Sequence, residues 1–416
     1  MLTPVFSIKH MRFMTPIFYQ ITHTLRDVIR ERVKDSPQEV DILHWMGRTA
    51  LELIGQGGLG YSFDPLVEDI SDTFGDAIKG LVPAFGGIIF FRNILEFMVK
   101  IGPPEFRAWL IDRSPSKNLK EIKRISDTLY AQSKAIIDGK KAALESGDEA
   151  LLQQVGEGKD IMSILLRANM LASEEDKLPE DELLGQMSTL VFAAMDTTSN
   201  ALSRVLHLLA QHQSIQDKLR AELTAIDSSE DIPYDQLVEL PYLDAICRET
   251  LRLYPPVGSL TRQAQKDIVM PLTWPIRGVD GKMIHEIFVP KGTNVFTSIS
   301  ASNQNKAIWG EDALKWKPER WLSPLPEAVS AAHIPGVYSN LMTFNGGGRS
   351  CIGFKFSQLE MKVVLADLVK SFRFSEPKAE IVWNCGGIVY PTVGHESNVP
   401  SMPILVELVS EPTRPN

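Results

Sequence analysis

The chain has 416 residues, 44% of them hydrophobic, with a formal charge of -9 and a pI near 5.5. That length and apolar content suit a globular protein with a large core and exclude a disordered one. No block of lysine and arginine is long enough to follow a phosphate backbone, so nucleic acid is not an expected partner.

The first stretch, "MLTPVFSIKHMRFMTPIF", has no compact apolar core with a cleavage site and reads as an amphipathic helix that needs a partner surface from its first residues. Apolar residues at helical spacing predict helices over 14–33, 37–54, 89–111 and 117–145, with few strand signals before residue 255. The longest apolar run, "LVPAFGGIIFF" (81–91), is too short to cross a bilayer and carries proline and glycine, so no transmembrane span is predicted. "ESGDEALLQQVGEGKD" (145–160) marks a surface loop, and "ASEEDKLPEDE" (172–182) supplies helix-start chemistry before a long apolar segment that runs to about His212. From Tyr254 onward prolines and glycines rise and short β-type runs appear, as in "IHEIFVPKGTNVFTSI" (284–299). Helix returns in "KFSQLEMKVVLADLVKSF" (355–372). Without repeats or a separating linker, residues 1–416 read as a single domain, mainly α with a small β part.

Three stretches carry chemistry. In "LLGQMSTLVFAAMDTTSNALSRVLHLLAQH" (183–212), a helix apolar on every side, Asp196, Thr197, Thr198, Ser199 and Asn200 are five consecutive residues whose side chains compete with the backbone for hydrogen bonds. Two readings stay open. One is a polar patch bonded back to carbonyls four residues earlier. The other is a break that opens a groove and places a carboxyl and a hydroxyl where protons are delivered. In "RETLRLYPPV" (248–257), Glu249 and Arg252 share a helix face that Pro255 ends, and "KPERW" (317–321) adds Arg320. A buried Glu–Arg–Arg network adds little net stability but can fix one arrangement of the fold.

The third is "FNGGGRSCIGF" (344–354), with Phe344, Gly346, Gly348, Arg349, Cys351 and Gly353 in the order F-x-G-x-G-R-x-C-x-G ahead of a helix. A Cys351 thiolate by that helix N-terminus would be stabilised by free N–H groups and would bind a metal strongly. The glycines would let a flat macrocycle approach the backbone, and Arg349 could pair with a carboxylate on its edge. The other reading is a glycine-rich turn with a structural cysteine. The remaining cysteines, Cys247 and Cys385, form no CxxC pair, which argues against a disulfide framework and a structural zinc site.

Together, in order and separation, these stretches resemble the cytochrome P450 family of haem-thiolate monooxygenases, and the resemblance covers essentially the whole chain. The haem loop is matched by "FNGGGRSCIG", the Glu-x-x-Arg helix by "ETLR", the Pro-Glu-Arg turn by "PER" and the oxygen-groove helix by "AAMDTT" (193–198). The resemblance implies the P450 fold and haem b, with Cys351 as the axial iron ligand. It implies Phe344, Gly346, Gly353, Arg349 and Ala193 at haem-binding positions, and Arg262 as a second arginine for a haem propionate. Asp196 and Thr197 become the proton-delivery pair, and Glu249, Arg252 and Arg320 the fold-fixing triad. Ala194 stands where the family usually has glycine, which would crowd the oxygen groove slightly.

The implied reaction inserts one atom of O2 into a lipophilic small molecule, with electrons from an NADPH-cytochrome P450 reductase. Arg349, Lys355 and Lys362 are candidates to meet an acidic redox partner, each lysine otherwise reading as a solvated face. Stretches near Phe192 and Ala193, at 256–260 and at 386–391 are expected to line the substrate pocket. Eukaryotic members carry a further front end with a membrane anchor, which places them on the cytosolic face of the endoplasmic reticulum. The chain resembles such a member from just inside its helical lobe, so it reads as N-terminally truncated, with apolar faces at 14–33 and 183–212 expected to lie uncovered. The style is that of a fungal member of secondary metabolism. The alternatives are a haem-thiolate isomerase or dehydratase, against which the acid–alcohol pair stands, and a non-catalytic remnant that does not retain haem.

Overall fold

A computed structural model describes residues 3–64, 66–67, 73–86, 97–146, 160–226 and 231–409. Its α-helices are α1 (Ile8–Val33), α2 (Ile42–Leu53), α3 (Thr73–Gly86), α4 (Pro104–Arg113), α5 (Lys117–Ser146), α6 (Ile161–Met170) and α7 (Glu180–Gln211). They continue with α8 (Gln213–Thr224), α9 (Tyr234–Glu239), α10 (Pro241–Leu253), α11 (Ile299–Asn303), α12 (Lys306–Trp309), α13 (Glu327–Ala331) and α14 (Phe354–Ser371). The strands are β1 (Gln38–Asp41), β2 (Ser259–Gln263), β3 (Ile268–Arg277), β4 (Met283–Val289), β5 (Asn294–Ser298), β6 (Gly336–Tyr338), β7 (Leu341–Gly346), β8 (Phe372–Ser375), β9 (Ile381–Cys385), β10 (Val389–Val393) and β11 (Pro403–Leu408). All pairings are antiparallel: β1, β11 and β8 form one small sheet, and β2 with β5, β3 with β4, β6 with β7 and β9 with β10 form pairs.

The predicted helices hold with two adjustments. The helix expected over 37–54 begins as a strand, because Val40 pairs with Ile404 across the molecule. Local periodicity carries no trace of so distant a partner. Asp41 then caps α2 by accepting from the His44 N–H. For the prediction over 89–111, residues 89–96 lie outside the described residues and the observed helix is Pro104–Arg113. Most of the predicted loop 145–160 and the end of the 81–91 run also lie outside them.

Faces expected to be uncovered are covered. α1 buries Met11, Met14, Phe18, Leu25 and Ile29, and Phe18 meets Phe356 of α14 edge-on at 5.0 Å between ring centroids. Each such side chain contributes roughly 1.5–3 kcal/mol by leaving water. α7 is not apolar on every side throughout. Its first half buries Leu183, Leu184, Met187 and Val191 but exposes Gly185, Thr189 and Ala193, one residue per helical turn. Only from Thr198 to Ala210 is it buried all round, Arg204 excepted. Ala193, at the end of this row, borders the site. By contrast α4 buries none of its residues and shows Phe106, Trp109 and Leu110 to solvent. No described helix is long and apolar enough to cross a membrane.

Candidate active site

Residues 344–354 form a closed loop between β7 and α14. The Cys351 N–H donates to the Phe344 carbonyl at 2.8 Å, the Ser350 N–H to Gly347 at 3.1 Å, and the Asn345 side chain to the Arg349 carbonyl at 3.1 Å. Asn345 and Gly347 take left-handed conformations, with φ of 58° and 67°. Phe344 is buried, edge-on to Tyr338 and tilted against Phe354.

The glycines have different reasons. A Cβ on Gly346 would lie 2.1 Å from the Pro335 carbonyl oxygen, so the β6–β7 pairing itself requires glycine there, rather than a macrocycle. A Cβ on Gly348 would meet no protein atom within 4 Å. Cys351 is exposed to the cavity beside it, yet the surrounding protein mass raises its thiol pKa, with the Gly353 N–H pulling the other way.

Glu249 and Arg252 are fully buried and paired twice, at 2.8 and 2.9 Å. Arg320 reaches the same carboxylate at 3.4 Å and Asp312 at 2.8 Å. Backbone N–H of Lys317 and the Trp321 indole complete the acceptor set of Glu249, both at 3.0 Å. Arg252 in turn donates to the carbonyls of Asn303 and Ala313. Every polar group of the pair finds a partner, which is what a buried ion pair needs to persist.

Cys351 opens on a cavity of about 620 Å³, a volume typical of ligand pockets. α7 forms one wall with Ala193, Thr197 and Ala201, and the cysteine loop another with Thr343, Phe344, Arg349 and Cys351. Leu251, Pro256, Val257, Leu260, Arg262 and Ile299 also line it. Among the described residues neither Arg262 nor Arg349 is paired with a carboxylate. A soft sulfur ligand, apolar walls and two unpaired guanidinium groups fit a flat apolar macrocycle that carries a metal and two carboxylates. Ala194 packs against the core instead of lining this cavity, so the expected crowding of the groove does not arise.

Asp196 faces elsewhere. Although adjacent on α7, Asp196 and Thr197 border different cavities. Asp196, Ser199 and Asn200 border a second cavity of about 590 Å³, with His44, Gly47, Lys79, Gly386, Ile388 and Tyr390. Burial pushes the Asp196 carboxyl up to about 6, against the pull of Lys79. Gly386, Ile388 and Tyr390, from the stretch expected to line the substrate pocket, border this second cavity, and Phe192 packs against the core. α7 is continuous through the polar cluster, without the expected break. The Thr197 hydroxyl donates to the Ala193 carbonyl at 2.6 Å, and the Asn200 amide to the Asp196 carbonyl at 2.8 Å. The back-bonding reading therefore holds for Thr197 and Asn200, and the break does not form.

Lys362 is not on a solvated face. It is buried, 2.7 Å from Asp244 and 2.9 Å from the Val238 carbonyl, and cannot meet a partner protein. Lys355 stays half-buried beside the Phe354 ring. Lys79, His44, Asn303 and Thr343 belong to the two cavities or their supports, and no local sequence pattern marks them.

The cytochrome P450 family model matches residues 1–394. A cytochrome P450 monooxygenase of Postia placenta, number 91 of that fungus, is 60% identical over 98% of this chain and 76% of its own length. The ganoderic acid synthetase of Ganoderma lucidum is 49% identical over 98% and 76%. A crystal structure of a cytochrome P450 superposes with a TM-score of 0.72 over 98% of this chain and 77% of that one, at 23% identity, a likeness of fold. With its cysteine loop, its buried Glu-x-x-Arg pair and these matches, the chain belongs to the cytochrome P450 family, as a haem-thiolate monooxygenase.

Proposed function

We propose that this monooxygenase binds haem b through Cys351 and oxygenates a bulky lipophile, with two electrons from an NADPH-dependent reductase. One observation carries the reading: Cys351 and the Ala193–Thr197 turn border the same apolar cavity, with Arg262 and Arg349 on its walls. When bound, a thiolate-ligated haem supplies activation of O2. The residues of the chain do the rest. Arg262 and Arg349 hold the two carboxylates of the macrocycle. Thr197, its proton engaged by Ala193, keeps its oxygen lone pairs for a hydrogen bond in the cavity. Asp196 collects protons from the second cavity, its raised pKa keeping a proton available near neutral pH. Leu251, Pro256, Val257, Leu260 and Ile299 exclude water and favour a terpenoid, sterol or fatty chain. The name of the Ganoderma relative supports a setting in secondary metabolism. Exposed Phe106, Trp109 and Leu110 on α4 support work at the cytosolic face of the endoplasmic reticulum membrane, since aromatic side chains favour the membrane interface.

The test is the reduced carbon-monoxide adduct together with product analysis. Wild type is expected to show the red-shifted Soret band of a thiolate-ligated haem. Cys351→Ala is expected to lose it, while Cys247→Ala and Cys385→Ala keep it. Mass spectrometry with a reductase and a panel of lipophiles is expected to show a product heavier by one oxygen. Product formed without consumption of NADPH would replace this reading with an isomerase or dehydratase.

A further inference from the structure

Asn303, the last residue of α11, is only 1% exposed. A buried amide is tolerated where its donors and acceptors are met, so its partners say what it holds together. Its backbone carbonyl accepts from Arg252 at 2.8 Å. Its side-chain oxygen accepts the Met342 N–H at 2.9 Å, which fixes the orientation of the amide, and its Nδ2 donates to the Thr343 hydroxyl at 2.8 Å. The Thr343 hydroxyl donates in turn to the Leu251 carbonyl at 2.7 Å. One asparagine and one threonine thus bind α10, α11 and β7 to one another.

That junction stands directly beside the cysteine. β7 pairs with β6 only through Leu341 and Gly346, with a register shift between them, so its middle lacks a regular ladder partner. Met342 and Thr343 are in that middle, and the next carbonyl, of Phe344, accepts the Cys351 N–H at 2.8 Å. We propose that Asn303 and Thr343 are positioning residues for Cys351: they transmit the fixed geometry of the Glu249–Arg252 pair to the loop and set where its sulfur lies. The proposal rests on the haem-thiolate reading above. Neither residue touches the sulfur; they act through two backbone segments and the Phe344–Cys351 bond.

The experiment compares Thr343→Val, Thr343→Ser and Asn303→Ala as haem-loaded protein. Thr343→Val keeps the shape and removes the hydroxyl, leaving the Asn303 Nδ2 without its acceptor and the Leu251 carbonyl without its donor. Haem content, thermal midpoint, reduction potential and the reduced carbon-monoxide spectrum are read on each. Thr343→Val is expected to retain haem while the ratio of red-shifted to blue-shifted adduct falls by about tenfold, the size an unsatisfied buried polar group imposes on a two-state balance. Its reduction potential is expected to shift with it, and Thr343→Ser to restore both. Asn303→Ala is expected to resemble Thr343→Val. A normal spectrum and potential in the haem-loaded Thr343→Val protein would overturn the proposal. So would loss of haem and thermal stability in step, with the remaining haem spectrally normal, because the junction would then hold the fold and not the sulfur. A wild type without the red-shifted band would instead overturn the haem-thiolate reading and this inference with it.

Discussion

Replacing Asp196 with asparagine tests the second cavity, because it separates the cost of a buried charge from the service that charge performs. Burial holds the Asp196 carboxyl at about 6 against an ordinary value of 3.8. With the folded pKa above the unfolded one, the folded state binds more protons between those values, so stability is full below about pH 4 and falls as pH rises through 6. Proton linkage puts the loss at about 1.5 kcal/mol at pH 5 and about 3 kcal/mol at pH 8. Asparagine has nearly the same shape and no charge to desolvate. Asp196→Asn is therefore expected to raise the thermal unfolding midpoint about twice as much at pH 8 as at pH 5. If Asp196 supplies protons as proposed, turnover is also expected to drop while haem content stays constant. The measurements are melting curves of wild type and variant at the two pH values, with electron consumption and product formation counted at pH 7.5. An equal gain at both pH values, or a variant less stable at pH 8, would refute the claim that burial dominates at Asp196. Unchanged turnover would refute its place in proton supply.

Thr197→Ala is expected to leave haem content normal and divert electrons to peroxide, checked as the ratio of product to NADPH; unchanged coupling would remove Thr197 from the mechanism. Glu249→Gln leaves Arg252 buried without its carboxylate and is expected to cost about 3–5 kcal/mol, with haem lost on gel filtration. Arg320→Ala is expected to cost less, since its contact with Glu249 is the longer one at 3.4 Å and Asp312 holds its other side. Gly346→Ala is expected to disrupt the β6–β7 pair and yield little folded protein, while Gly348→Ala leaves the thermal midpoint of the haem-free chain unchanged. Equal effects of the two alanines on the haem-free chain would contradict the different demands of the hairpin at these positions.

What could be read beforehand was local. The cysteine loop and the Glu-x-x-Arg pair place their residues within a few positions of one another, so spacing alone shows which side chains meet. Arg320 came from a second motif, and burial of the triad then follows from the fold. What could not be read depends on distant partners. β1 exists because residues 403–406 lie beside it, Lys362 is buried because Asp244 receives it, and Asn303 matters because Met342 and Thr343 arrive from β7. The neighbourhood of 386–391 and 256–260, both expected to line the substrate pocket, was likewise invisible locally: the Val389 N–H donates to the Pro256 carbonyl, while Gly386, Ile388 and Tyr390 border the cavity with Asp196 and Pro256 the one with Cys351.

The polar run at 196–200 shows how a poor helix sequence becomes a requirement. Five consecutive residues turn through about 400°, more than a full circuit of the helix, so they cannot form one patch. They go to three places. Asp196, Ser199 and Asn200 border the cavity that holds Lys79, Thr197 borders the cavity that holds Cys351, and Thr198 bonds to Ser357 of α14 at 3.2 Å. α7 thus presents a carboxyl to one cavity and a hydroxyl to the other on adjacent residues. Back-bonding to Ala193 and Asp196 lets a continuous helix carry these groups without leaving its own backbone unsatisfied, so no break is needed to make the site.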